Sequence, residues 1–240
     1  MRDVAVQQPS HCISCKLRTS RYFCNLPDEA IAELDRMKEM RTFAPRTKLF
    51  AEGEAVHEVM IVCEGRAALL ISSSTGNSLM LGLSERGEVL GLSSAISGDQ
   101  HEVSAEALDN VQVATIPRRL FLAFLERFPA ASANAARELG YKVNRAYDRI
   151  RLTAPGLSVR QKLAAWLLQM QELQSDRTEM LRIPLTHERI AQLLGVSRES
   201  VTRALSELKR GGVIEIRGIH LYIRNSVYLN TLLHGVRRAS

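Results

Sequence analysis

Three of the four cysteines fall inside the 13-residue window from Cys12 to Cys24 of the run His11-Cys12-Ile13-Ser14-Cys15-Lys16-Leu17-Arg18-Thr19-Ser20-Arg21-Tyr22-Phe23-Cys24, with the spacing C-x2-C-x8-C. Thiolates are soft ligands, and two of them three residues apart can grip one metal core. In a chain expected in a reducing compartment, such crowding points to a metal or redox site rather than a disulfide frame. Lys16, Arg18 and Arg21 would favour the thiolate form. Cys63 stands apart, directly after the apolar run Val59-Met60-Ile61-Val62. It is either a fourth ligand or an ordinary core cysteine. His11 next to Cys12 would complete a Cys3His set, which suits zinc.

A second constellation lies near the C-terminus, in Val196-Ser197-Arg198-Glu199-Ser200-Val201-Thr202-Arg203-Ala204-Leu205-Ser206-Glu207-Leu208. At about 100° per residue, Val201, Ala204, Leu205 and Leu208 share one face of a helix, and Arg198, Glu199, Thr202 and Arg203 share the other. Ser197 can cap the helix. The polar side chains match base edges in a DNA major groove, since Arg donates to guanine O6 and N7 and Glu accepts from cytosine N4. Upstream, Thr186 can cap a first helix bearing Ile190, Leu193 and Leu194, and Gly195 can take the left-handed turn that ends it. That is helix-turn-helix spacing. Two short strands around Arg217-Gly218 read as a β-hairpin wing, with Arg217 as a phosphate contact or a solvated turn residue.

These groups need elements to carry them. From about Thr42 to Pro117, short apolar runs alternate with glycines and polar turns, which predicts an antiparallel sandwich or jelly roll. A short helix precedes it, with Pro27 at its first position and Ile31, Leu34 and Met37 at helical spacing. Residues 118–153 are expected to be helical. Within them Ala136, Leu139, Val143, Ala146, Ile150 and Thr153 recur at steps of 3 and 4, a heptad seam suited to pairing two copies of the chain. Pro155-Gly156 stops that helix. The expected domains are a cysteine-bearing segment (1–25), a β-roll sensor (26–127), a dimerisation helix (128–153) and a winged helix-turn-helix (157–240).

The 240 residues are 45% apolar and 24% charged, a globular composition. No apolar run reaches the roughly 18–20 residues of a membrane span. The start of the chain lacks the apolar stretch of a secretion signal, so a cytoplasmic location is expected. The net charge of +6 is uneven. Residues 1–153 carry 19 basic and 19 acidic groups (19 − 19 = 0), and residues 154–240 carry 13 and 7 (13 − 7 = +6). A neutral body with a basic C-terminal part suits a polyanion partner held by that part.

The run Val196 to Arg203, together with Leu49-Phe50-Ala51-Glu52-Gly53-Glu54, Val62-Cys63-Glu64-Gly65 and Gly87-Glu88-Val89-Leu90-Gly91, resembles the CRP/FNR superfamily of bacterial transcription regulators over essentially the whole chain. The resemblance implies an α+β architecture of β-roll sensor, long dimer helix and winged helix-turn-helix. It also implies a non-enzymatic homodimer on a palindromic double-stranded DNA site, base reading by Arg198, Glu199 and Arg203, and contact with RNA polymerase. The family's cyclic-nucleotide branch carries a Glu after the glycine of its phosphate-binding turn and then an Arg-Ser pair. Here Leu92 follows Gly91, and Glu102-Val103-Ser104-Ala105 lacks the Arg, so a cyclic phosphate loses its charged partner. The cysteine window resembles that of FNR-type oxygen sensors. This implies a cubane 4Fe-4S cluster on Cys12, Cys15, Cys24 and a fourth thiol. The family's fourth cysteine falls at Ala114 here, which leaves Cys63 as the remaining thiol. Zinc, a redox dithiol and a small-molecule-responsive roll stay open as alternatives. A cupin-like enzyme would need several converging histidines, and the roll region offers His57 and His101.

Overall fold

The computed structural model describes residues 11–18, 23–72, 78–84, 86–153, 156–173, 180–182, 186–218 and 220–234. Arg21, the turn at 73–77, Ala154-Pro155 and the side chain of Thr153 lie outside the described residues. Contacts divide the chain into two compact units, 1–145 and 146–240.

In the first unit, helix α1 (Asp28–Met37) leads into strands β1 (Glu39–Phe43), β2 (Lys48–Phe50), β3 (Glu58–Glu64), β4 (Ala67–Ser72), β5 (Ser78–Leu83) and β6 (Val89–Leu90). Then come a short helix α2 (Leu92–Ser97), strands β7 (Ser104–Ala107) and β8 (Val111–Pro117), and helices α3 (Arg118–Arg127) and α4 (Pro129–Thr153), the last of which runs on into the second unit. The strands form two antiparallel four-stranded sheets, ordered β1-β8-β3-β6 and β2-β7-β4-β5, the expected jelly roll. Pro27 caps α1 instead of opening it. The helical stretch expected over 118–153 is two helices broken at Phe128, whose extended backbone precedes Pro129. A residue before proline is pushed out of the helical region.

Strand β3 explains why its sequence is continuously apolar. Successive side chains point to opposite faces. Met60 and Val62 enter the core between the sheets, with Phe50, Leu90, Ala105 and Val113. Val59 and Ile61 face the other way, into a second core with Ile31 and Leu34 of α1, Phe121 and Phe124 of α3 and Ala131 and Ala135 of α4. Both faces of the strand are therefore buried. The next residue on the second face is Cys63.

The second unit contains α5 (Val159–Leu173), β9 (Met180–Arg182), α6 (His187–Leu194), α7 (Arg198–Arg210), β10 (Ile214–Arg217), β11 (His220–Ile223) and α8 (Ser226–His234). Its sheet order is β10-β11-β9, so the wing hairpin gains a third strand. Among the described residues no helix is long and apolar enough to cross a membrane.

Candidate functional site

Cys12 opens a single 3-10 turn, Cys12–Ser14. The last turn of α1 and the residue just past it hold that turn in place. The Cys12 backbone N–H donates to Asp35 Oδ1 at 3.0 Å, and Asp35 Oδ2 lies 3.0 Å from His11 Nδ1. Lys38 Nζ donates to Cys12 Sγ at 3.2 Å and also bonds Asp35. Burial alone would raise the Asp35 pKa, but the hydrogen bonds from Lys38, Cys12 and His11 win and hold it well below the carboxylate range. Further along, Arg18 donates to the Cys24 carbonyl at 3.1 Å and pairs with Asp28 at 2.6 Å.

Cys63 sits at a β-bulge. Val62 pairs with Val113 and Glu64 pairs with Gln112, which leaves Cys63 as the extra residue of β3. Bulges commonly re-aim a side chain beside a functional site. Ala114, paired with Ile61 in the same ladder, lies next to it. All four cysteines line one partly open pocket with Ala114, Lys38 and the apolar side chains of Phe23, Ile31, Leu34 and Ile61. All four cysteines are free thiols. Burial first, and then the negative charges of Cys63, Cys15 and Cys12, push the Cys24 thiol up to about 12. Burial and then Cys12 push Cys63 up to about 11. Burial also raises Cys12, against the pull of Lys38.

This donor set fits a polynuclear iron–sulfur group. Four thiolates facing one cavity repel one another, and a bound cationic core would offset that repulsion. Among the described residues no three His, Cys, Asp or Glu side chains are set around a single metal ion. A cubane takes each thiolate on a separate iron. His11 is 76% exposed and is turned onto Asp35, away from the pocket lining. Among the described residues the cation lining the pocket is Lys38; Lys16 does not line it. Asp35 and Lys38 escaped the sequence reading. Their signal, an acid–base pair three residues apart at the end of a helix, carries no link to Cys12, which lies 23 and 26 residues upstream of them.

In the second unit, Thr186 caps α6 by accepting from the Arg189 N–H, and Gly195 takes the left-handed conformation at φ 62°. Ser197 caps α7 by accepting from the Ser200 N–H at 3.2 Å. Val201, Ala204, Leu205 and Leu208 are buried. Arg198, Glu199, Thr202 and Arg203 are exposed together on the outer face. Thr202 is already engaged: its hydroxyl donates to the Arg198 carbonyl at 3.0 Å and stands 2.9 Å from His187 Nδ1. On the wing, Arg217 bonds Glu215 and lies over the Tyr222 ring at 5.5 Å.

Helix α4 has two unlike faces. One is bound to the roll: Glu138 accepts from the Val89 N–H at 2.7 Å, and Arg145 reaches Glu88 at 3.1 Å and the Leu83 carbonyl at 3.0 Å. The other carries an exposed apolar stripe of Ala136, Val143, Ala146 and Ile150; Leu139, expected in the seam, is instead half-buried against the core of the roll. Val143 is 49% exposed and Ile150 63%. Tyr147, 58% exposed, extends the stripe beyond the expected seam.

Two family models match the chain: a cyclic nucleotide-binding domain over residues 40–128 and a Crp-like helix-turn-helix domain over residues 161–232. The chain is 26% identical to the nitrogen fixation regulation protein FixK of Bradyrhizobium diazoefficiens, over 89% of this chain and 90% of FixK. It is 22% identical to the fumarate and nitrate reduction regulatory protein of Vibrio cholerae, over 96% of this chain and 92% of that one. The solved structure of FixK2 from Bradyrhizobium japonicum shares the fold with a TM-score of 0.72 at 23% identity, covering 81% of this chain and 96% of FixK2. The chain belongs to the CRP/FNR family and is a DNA-binding transcriptional regulator of that type.

Proposed function

We propose that the chain is a cytoplasmic homodimeric regulator that reads an inverted repeat in DNA under the control of an iron–sulfur cluster held by Cys12, Cys15, Cys24 and Cys63. The observation that carries this reading is the gathering of all four free cysteines around one pocket. Cys63 supplies the fourth thiol one strand over from Ala114, where the family pattern places it. Two named relatives, an anaerobic regulatory protein of Pasteurella multocida and the Vibrio cholerae regulator, point to the same kind of signal. Contact with RNA polymerase rests on the family resemblance alone. The reading leaves cyclic nucleotides out, because Val103 stands at the arginine position and Glu102 accepts from the Ser93 and Ser94 hydroxyls at 3.0 and 2.7 Å.

When bound, the cluster supplies a core whose stability depends on oxidation state. The chain's own residues convert that into geometry. Asn134 of α4 donates to the carbonyl of Asn25, directly after Cys24, at 3.2 Å. A change in the hold on Cys24 therefore acts on α4, and with it on the exposed stripe that pairs two protomers. The paired stripes set whether two α7 helices reach successive major grooves about one DNA turn apart. In each groove Arg198, Glu199 and Arg203 read bases. Ser197 orders the helix start, Thr202 buttresses Arg198, and Arg217 steadies the wing.

The test is oxygen-free purification of wild type and Cys63→Ala, with iron, acid-labile sulfide and visible absorption measured on both. About four irons and four sulfides per chain are expected in wild type, and loss of most of them in the variant. Equal loading of the two proteins would overturn the ligand assignment. An iron-free wild type whose DNA binding follows thiol oxidation would replace the cluster with a redox dithiol.

A further inference from the structure

The four thiols account for ligation and leave one polar group of the pocket without a role. Lys38 is the cation among its lining residues, and its side chain is only 6% exposed. A buried ammonium on a flexible stem is costly unless it is held. It is held here: Asp35 fixes it, and the same carboxylate takes the Cys12 N–H, so one ion pair positions both the charge and the turn that carries the first thiol. The ammonium is aimed at Cys12 Sγ.

We propose that Lys38 is a positioning residue of the cysteine pocket, donating a charge-assisted hydrogen bond to the Cys12 sulfur so that a thiophilic metal group binds more tightly and, once bound, is reduced more readily. This inference rests on the pocket being a thiolate site; the cluster assignment deepens it and can fail separately. The physical reason is electrostatic. Four converging thiolates and any electron added to their metal group accumulate negative charge, and a fixed cation in a poorly solvated site stabilises each increment. Groups just outside a metal's ligand set typically change affinity by about 10–100-fold when removed.

The experiment compares wild type, Lys38→Met, Lys38→Arg and Asp35→Asn as full chains, with circular dichroism and melting to confirm folding. Two probes are used: ferrous iron with sulfide under anaerobic conditions, and cadmium, read by its thiolate charge-transfer band against a competing chelator. Lys38→Met should bind cadmium about 10–100-fold more weakly. Its reconstituted iron form should also have a more negative midpoint potential than wild type. Lys38→Arg should recover most of both, and Asp35→Asn should fall between. A purely structural lysine would lower loading in Lys38→Met without moving the potential of the fraction that loads. Affinity and potential both unchanged in a folded Lys38→Met overturn the proposal, as does a wild type that binds neither probe. A wild type that binds cadmium in a Lys38-dependent way but takes up no iron and sulfide removes the cluster and sustains Lys38.

Discussion

Replacing Ile150 by Glu tests the pairing of protomers most directly. Ile150 is 63% exposed in the single chain, at the C-terminal end of the stripe that includes Val143 and Ala146. Fully burying an isoleucine side chain contributes about 1.5–3 kcal/mol, so covering the exposed portion contributes about 1–2 kcal/mol per protomer. A two-fold interface presents the same residue from both copies, which doubles this to about 2–4 kcal/mol. At about 1.4 kcal/mol per tenfold, the dimer constant should weaken by roughly 30–700-fold, before the cost of facing two carboxylates across the axis is added. Sedimentation equilibrium over a wide concentration range reads this directly. Asn144→Glu is the control, exposed on the same helix about 100° from Val143. It adds the same charge off the stripe and should leave the constant nearly unchanged. An Ile150→Glu protein that dimerises like wild type would refute the assignment of this face.

Arg203→Ala should weaken binding to a selected operator by about 1–3 kcal/mol and relax sequence choice, read by titration of specific and scrambled duplexes; equal losses on both would make Arg203 a phosphate contact only. Gly65→Ala should destabilise the first unit by at least about 2 kcal/mol in denaturant unfolding, because φ is +77° and an added Cβ would stand 2.2 Å from the Asn110 carbonyl oxygen; an unchanged midpoint would mean the turn relaxes freely. Burial lowers the pKa of His101, against the pull of Glu102 and Glu54, and the ring stacks on Phe50 at 3.9 Å. The unfolded state therefore takes up its proton first, so stability should fall as pH drops below about 6.5, and His101→Gln should flatten that slope.

The strands that announce themselves in the sequence are those buried by apolar side chains on both faces, such as β3 and β8. Those that do not are β1, Glu39-Met40-Arg41-Thr42-Phe43, and β7, Ser104-Ala105-Glu106-Ala107. Strand β1 is an edge strand with exposed side chains, held by its ladder to β8. Strand β7 is central between β2 and β4, and small residues fit there because its neighbours supply the bulk. In both, backbone pairing with distant segments decides the conformation, and local side-chain preference says little about it.

The helix-turn-helix was legible from the residues because everything that builds it is local. Caps, a left-handed glycine and a two-sided helical pattern all act within some twenty residues. The same holds for the heptad stripe of α4, whose spacing alone places its residues on one face. The cysteine pocket is different in kind. Composition suggested a site, but only the tertiary structure put Cys63 beside Ala114, turned it inward at a bulge, and brought Asp35 and Lys38 from the end of α1 to Cys12. Strand register and the packing of α1 on the sheet join segments tens of residues apart, and no periodicity in the chain encodes that meeting.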